Sequence, residues 1–391
     1  MSIAEQRRSE PSHVWISQPD GGSNVCRGPE GRFTIIEKDG SAPRRYLQLD
    51  PYSAAVAFIH GKVEIHGDIF EAIRYFSCHH HSLFRQLFFS GAARLQHLRT
   101  SFLLGRRNPA ARSIRFHYDR SNELYSQFLD SHMVYSAAHF GTPDDSLETA
   151  QRQKLEEICR DLSLRAGDRF LDIGCGWGGL VTYAAKHFGV QAFGCTVAQR
   201  QLDFARQIIE REALQKRVFV SLCDYRDVHD SFDKIASVGM FEHVGRSRMA
   251  GYFAKAFRLL EPGGLFLNRG LVRPHGISDG PDTLFIQNNV FPGGELVHLD
   301  DVIRDGERCG FEVVGVRDLR QHYALTCRAW VKNLQRNAVN CRDLVGDCTY
   351  RTWLLYLAAS AVGLEDRRIE AAQVLFHRAA KLPSRDHEGT R

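Results

Sequence analysis

The run Leu171-Asp172-Ile173-Gly174-Cys175-Gly176-Trp177-Gly178-Gly179 sets the architecture of this chain. It follows an apolar segment, RFLDIG (169–174), that reads as a buried strand. It opens GLVTYAAKHFG (179–189), whose helical spacing closes on Gly189. A glycine turn between strand and helix lets a ligand approach the backbone and leaves free N–H groups at the helix N-terminus. The alternation continues. VQAFGC (190–195), RVFVSLCD (217–224), FDKIASVG (232–239) and LFLNRGL (265–271) read as strands. QRQLDFARQIIEREAL (199–214), RMAGYFAKAFRLLEPGG (248–264) and residues 299–309 read as helices. Repeated β/α units predict an α/β fold, a doubly wound parallel sheet with helices on both faces. Near the end, FEVVGVRDL and HYALTCRAWVKNL face each other across Arg320-Gln321 and are expected to pair antiparallel.

The glycine pattern is shared by nucleotide dehydrogenases, so the neighbouring residues decide the ligand. Asp172 precedes the first glycine, where a carboxylate can hold a cationic amino group; its bland alternative is a helix cap. No acid ends the next strand, where a dehydrogenase binds ribose. Thr196 and Gln201 stand there instead. Asp224-Tyr225 ends the third strand, where an adenine would lie against the tyrosine ring; the alternative is an ordinary loop tyrosine.

At 391 residues the chain has room for one large and one smaller domain. Residues 1–32 are rich in Gly, Ser and Pro and are expected to be loose; 33–92 form a small N-terminal domain, 93–116 a basic linker and 117–391 the main domain. Between Arg94 and Arg120 there are seven arginines and one acid, Asp119. That stretch is either a solvated linker or a face for lipid headgroup phosphates. The net charge of +5 is too small to argue for nucleic acid and is compatible with an anionic membrane surface. The N-terminus lacks an apolar signal core, and no apolar run approaches the roughly 20 residues that span a bilayer. A cytoplasmic location follows as the expectation. Ten scattered cysteines without a C-x-x-C pair read as reduced thiols. Cys78-His79-His80-His81 has no second cluster to complete a metal site, so no metal is expected.

The ordered segments HYDRSNELYSQFLDSHMVYSAAHF (117–140), ETAQRQKLEEIC (148–159), LDIGCGWGGL (171–180), GCTVAQRQLDFA (194–205), CDYRD (223–227), VGMFEHVG (238–245), FPGGEL (291–296), HYALTCRAW (322–330) and RTWLLYLAASAVGL (351–364) resemble the cyclopropane-fatty-acyl-phospholipid synthase family, which includes the mycolic acid cyclopropane synthases. The likeness spans about residues 50 to 380. It implies a class I methyltransferase fold with a seven-stranded sheet, S-adenosyl-L-methionine as cofactor, and a smaller α+β, lipid-associated N-terminal domain. By resemblance, Tyr135 and Ser136 cover the cofactor, and Gly174, Gly176, Thr196, Gln201 and Tyr225 bind it; Asp172 and Asp224 join them from the reading above. Glu242 and Tyr323 match the active site, where the family holds a bicarbonate ion. Two of that ion's ligands are replaced: the family's cysteine is Ala137, and its histidine aligns with Arg269, which is expected in the catalytic set as an anion holder.

The implied substrate is an unsaturated phospholipid acyl chain, reached by a protein peripherally associated with the membrane; dimerisation is left open. An isolated alkene must be held in line with the sulfonium methyl at roughly 3–3.5 Å in a dry pocket. Methyl transfer leaves a carbocation, which aromatic faces stabilise and Glu242 can oppose. Ala137, Phe241, Phe285, Phe291 and Trp330 either line the acyl channel or are plain core. A base that takes a proton from the new methyl closes a cyclopropane; loss from a chain carbon leaves a methyl-branched or methylene alkene. With two bicarbonate ligands replaced, the branched unsaturated product is the expectation and cyclopropanation its alternative. A small-molecule methyltransferase and a lipid-binding protein without activity are the rival readings.

Overall fold

The computed structural model describes residues 14–17, 24–38, 51–78, 121–277, 280–291 and 295–380. The arginine-rich stretch 93–116 and the triple histidine 79–81 lie outside them. Strands β1 (Val14–Ser17), β2 (Asn24–Arg27), β3 (Phe33–Glu37) and β4 (Val63–Gly67) form an antiparallel sheet in that order. Helices α1 (Pro51–Ile59) and α2 (Ile69–Cys78) accompany it, and Cys26, Phe33, Ile35, Ala57, Val63 and Ala72 make its core. Residues 1–32 were expected to be loose, yet β1 and β2 come from them. Four-residue strands carry too few alternations to register as a periodic signal, and Cys26 is buried only because β3 lies beside it.

Short α3 (Asn122–Ser126) and α4 (Leu147–Asp161) precede the main sheet, each capped by a serine hydroxyl, Ser121 and Ser146. The sheet strands are β5 (Arg169–Ile173), β6 (Gln191–Thr196), β7 (Val218–Leu222), β8 (Phe232–Val238), β9 (Leu260–Val272), β10 (Glu312–Asp318) and β11 (Glu370–His377), in the order β10-β11-β9-β8-β5-β6-β7. The strands from β5 to β9 pair in parallel, whereas β11 runs antiparallel to both β9 and β10. The expected doubly wound α/β sheet is therefore present, with seven strands. Its direction of winding reverses at β5, so the glycine loop sits at the crevice where such sheets bind ligands.

Between the strands run α5 (Gly179–Phe188), α6 (Gln199–Arg211), α7 (Met249–Leu259), α8 (Pro281–Asn289), α9 (Leu299–Arg308), α10 (Arg320–Arg336), α11 (Ala338–Val345) and α12 (Asp347–Glu365). The expected pairing of FEVVGVRDL with HYALTCRAWVKNL is corrected here. The second segment is α10, whose buried Ala324, Cys327, Trp330, Val331 and Leu334 recur at helical spacing, and β10 pairs instead with β11. The short apolar run in β11 was silent because periodicity alone cannot type so brief a segment. Helices α10 and α12 pack on each other, α12 also packs on α2, and Arg328 of α10 lies over the Phe70 ring of α2. Their aromatics join Tyr125, Phe128 and Trp177 in one cluster beside the glycine loop. Among the described residues no helix is long and apolar enough to cross a membrane.

Candidate active site

The loop after β5 is held to β6 by the Gly174 and Cys175 N–H groups, which both donate to the Cys195 carbonyl at 3.0 Å. Gly174 (φ 83°) and Gly176 (φ 55°) take the left-handed conformation that side chains resist. A Cβ at Gly174 would stand 2.8 Å from Met240 Cγ; at Gly176 it would meet nothing within 4 Å, so that backbone borders open space. The space belongs to a cavity of about 1190 Å³, mouth included.

Every residue expected at the cofactor borders this one cavity. From β5 and the loop after it come Asp172, Gly174 and Gly176; from the end of β6, Thr196; from the first turn of α6, Gln201; from the turn after β7, Asp224 and Tyr225. Tyr135 and Ser136 close it from a segment ahead of α4. Asp172 is buried, and its Oδ1 has no hydrogen-bond partner among the described residues. Burial pushes its carboxyl up to about 7, against the pull of nearby Lys154. Thr196 Oγ1 donates to Gln201 Oε1 at 2.7 Å and accepts from Ala198 N–H at 3.2 Å, which fixes both side chains. Asp224 also has a structural task. Its carboxylate accepts from Arg226 N–H, Nε and Nη2 at 3.0, 2.8 and 2.7 Å, so it braces the turn that carries Tyr225.

Residues 133–140 form a covering strap. Gln151 Nε2 donates to the Val134 and Ser136 carbonyls at 3.2 and 3.0 Å, and Lys154 Nζ to Ser136 Oγ at 3.0 Å. On the strap's other side, the N–H groups of Ala138, His139 and Phe140 donate to Thr326 Oγ1, the Ala150 carbonyl and His322 Nδ1. Lys154 was not anticipated from sequence, yet a signal existed. Gln151, Lys154, Leu155 and Ile158 fall at i, i+3, i+4 and i+7 of α4, so a lysine occupies its buried stripe.

Glu242 sits in the tight turn Phe241–His243 after β8. Its Oε1 accepts the Leu271 N–H at 2.8 Å, while Oε2 is buried with no hydrogen-bond partner among the described residues. Burial drives its carboxyl up to about 7, only partly offset by the Leu271 N–H. Its neighbours Met240 and His243 border the cavity, so Glu242 lies directly behind that wall. Burial pushes the His243 imidazole down to about 4, which keeps it neutral at physiological pH. Around this point an aromatic wall assembles. Phe291 lies 5.3 Å from His243 and 5.8 Å from Tyr356, and the Trp353 ring stands 6.0 Å from both Tyr356 and Tyr135. Trp330 stacks 4.9 Å behind Tyr135, and Tyr323 stands edge-on to Trp330 at 6.1 Å. Phe285 is buried in the same cluster.

Two expected site residues lie elsewhere. Phe241 is 1% exposed and belongs to the core with Leu171, Ile235 and Phe253; it is packing, not channel lining. Arg269 points away from Glu242. Consecutive strand residues project to opposite faces, and Gly270 is the one that meets Glu242: a Cβ there would lie 2.5 Å from Glu242 Oε1. Arg269 projects toward α4, where Nη1 donates to Glu157 Oε2 at 3.0 Å and Gln373 Oε1 at 3.3 Å, and Nη2 to the Ala137 carbonyl at 3.1 Å. A buried guanidinium requires a counter-ion, and Glu157 supplies it. Arg269 therefore anchors the strap at Ala137. Gly270→Ala tests the fit of Glu242: steady-state kinetics should show kcat about tenfold lower, with donor affinity from calorimetry unchanged. Wild-type turnover in that variant would mean the carboxylate's placement is unimportant.

Residues 105–374 match the family described as mycolic acid cyclopropane synthetase. A Pseudomonas putida protein named probable fatty acid methyltransferase is 38% identical over 362 residues, covering 90% of this chain and 89% of that one. The cyclopropane-fatty-acyl-phospholipid synthase of Escherichia coli K12 is 36% identical over 269 residues, covering 68% of this chain and 67% of that one. Among solved structures, the mycolic acid cyclopropane synthase CmaA1, complexed with SAH and CTAB, superposes with a TM-score of 0.65 at 29% identity, over 68% of this chain and 97% of that one.

Proposed function

The chain belongs to the mycolic acid cyclopropane synthetase family, and from that membership we propose that it methylates the double bond of an unsaturated fatty acyl chain on a membrane phospholipid, leaving a methyl-branched unsaturated or methylene product. It is an S-adenosyl-L-methionine-dependent methyltransferase. The cavity fits that donor: among the described residues Asp172 Oδ1 has no hydrogen-bond partner, which leaves it open to an ammonium group, and the Gly176 backbone leaves room for close approach. Thr196 and Gln201 would hold the ribose, and Tyr225 would stack on the adenine. The donor supplies an electrophilic methyl on a sulfonium centre.

The observation that carries the reading is the aromatic cluster of Tyr135, Tyr356 and Phe291, which reaches from the cavity wall at Tyr135 to His243, the neighbour of Glu242. An acyl chain against that wall presents its π electrons to the methyl. The C–S bond breaks, a C–C bond forms, and positive charge appears on the adjacent chain carbon. Ring faces and the ionised Glu242 stabilise that charge in a site with little water. Transfer of a proton to the Glu242 carboxylate then restores an alkene: taken from a chain carbon it leaves a methyl branch, and taken from the new methyl after a 1,2-hydride shift it leaves a methylene. Preference for this outcome over ring closure rests on Ala137 and Arg269. The first offers no side-chain ligand, and both terminal nitrogens of the second are engaged by protein oxygens, so this side of the site presents no bicarbonate nest. The protein is proposed to work in the cytoplasm at the membrane surface.

Feeding methionine labelled with a CD3 methyl to cells expressing the gene tests the chemistry. Mass spectrometry and NMR of the phospholipid acyl chains should find an unsaturated chain that carries either a methyl branch with three deuterons or an exocyclic methylene with two. A saturated cyclopropane retaining two deuterons would replace this reading with cyclopropanation, and absence of label in acyl chains would overturn the substrate.

A further inference from the structure

We infer that Lys154 is a donor-binding residue, its buried ammonium serving as counter-charge to the α-carboxylate of S-adenosyl-L-methionine while Asp172 takes the α-ammonium. Lys154 is 2% exposed and borders the donor cavity. An ammonium carries three donors, and among the described residues this one makes a single hydrogen bond, to Ser136 Oγ at 3.0 Å. A buried cation so thinly satisfied is costly unless an anion arrives.

The charges facing Lys154 do not supply that anion. They are Arg269, of like sign, and the carboxylates of Asp130, Asp172 and Glu157. Asp130 accepts the His132 and Val134 N–H groups at 3.0 and 2.9 Å. Glu157 is bonded to Arg269 and to Arg317, the latter at 2.6 Å. Of the three acids only Asp172 borders the cavity, and its Oδ1 has no hydrogen-bond partner among the described residues. One wall thus presents a buried cation and a buried anion, each incompletely bonded. That pattern is complementary to the zwitterionic head of an amino acid, and a nucleoside alone would leave both unmatched. Burial also lowers the lysine to about 7, so an arriving carboxylate strengthens a charge that the free protein holds weakly.

Isothermal titration calorimetry with S-adenosyl-L-methionine and with its decarboxylated analogue, which keeps the sulfonium and the amine, tests the assignment without any acyl substrate. It is therefore independent of the product proposed above. Wild type should bind the analogue about 10- to 100-fold more weakly than the donor. Lys154→Gln keeps a donor to Ser136 Oγ and removes the charge. It should weaken the donor by a similar factor and leave the analogue's affinity within about twofold. Equal weakening of both ligands, or of neither, would overturn the proposal and leave Lys154 as a prop for the strap. If the variant fails to fold, the wild-type protein still decides: its preference for the donor over the analogue should shrink as pH rises above about 7, and an absent or pH-independent preference would sink the idea.

Discussion

Glu242→Gln should lower turnover by about a hundredfold or more while leaving donor affinity within about twofold. The glutamine keeps the size of the side chain and an oxygen for the Leu271 N–H, so the turn after β8 should survive. What it removes is the charge on Oε2, the buried atom without a hydrogen-bond partner among the described residues. In water a single carboxylate would matter little to a passing cation; behind a dry aromatic wall it matters far more. The pH profile is an independent check. Burial raises this carboxyl to about 7, so the group is protonated on the acid side and ionised above. Turnover in wild type should therefore climb as pH rises through about 7, and that limb should vanish in the variant. Single-turnover methyl transfer, alongside calorimetry for the donor, reads both. A variant that keeps a third of wild-type turnover, with the acid limb intact, would remove Glu242 from the chemistry.

Arg269→Met should cost about 3 kcal/mol of stability, lowering the melting temperature by about 5 °C or more, and should loosen donor binding as well. The guanidinium is 1% exposed and joins Glu157, Gln373 and the Ala137 carbonyl, which belong to α4, β11 and the strap. Methionine fills the volume but strands these acceptors away from water. Glu157 retains Arg317, which moderates the loss. Adding Glu157→Gln to the variant should recover part of the stability, because the two effects belong to one pair. Thermal melts of the single and double variants decide it. A single variant that melts within a degree of wild type would show that Arg269 anchors nothing. Loss of turnover without loss of stability would return it to the catalytic role read from sequence.

These two residues show where sequence reading succeeds and where it stops. The nine positions expected at the cofactor border one cavity because, apart from Gln201 in α6, they lie in the strap or in the segments at or just after strand ends, which a parallel sheet gathers at one edge. Asp224 was placed correctly in the cavity wall, but its preference for Arg226 depends on a turn only two residues long. Arg269 was misjudged because its direction depends on strand parity and on Glu157, 112 residues distant in the chain. Phe241 and Phe291 look alike in sequence; the first enters the core under the sheet and the second the aromatic cluster beside His243. For α10, the helical recurrence of buried residues was present, but an alternating stretch near a strand-like neighbour masked it.

The strap has a consequence for traffic through the enzyme. Opening it would break its bonds to Gln151, Lys154, Arg269, Thr326 and His322 together, and local openings of that kind draw on much of a fold's stability. It is a wall, not a door. Exchange of whatever fills the cavity then falls to the rim where the exposed Arg226 and Arg248 border it.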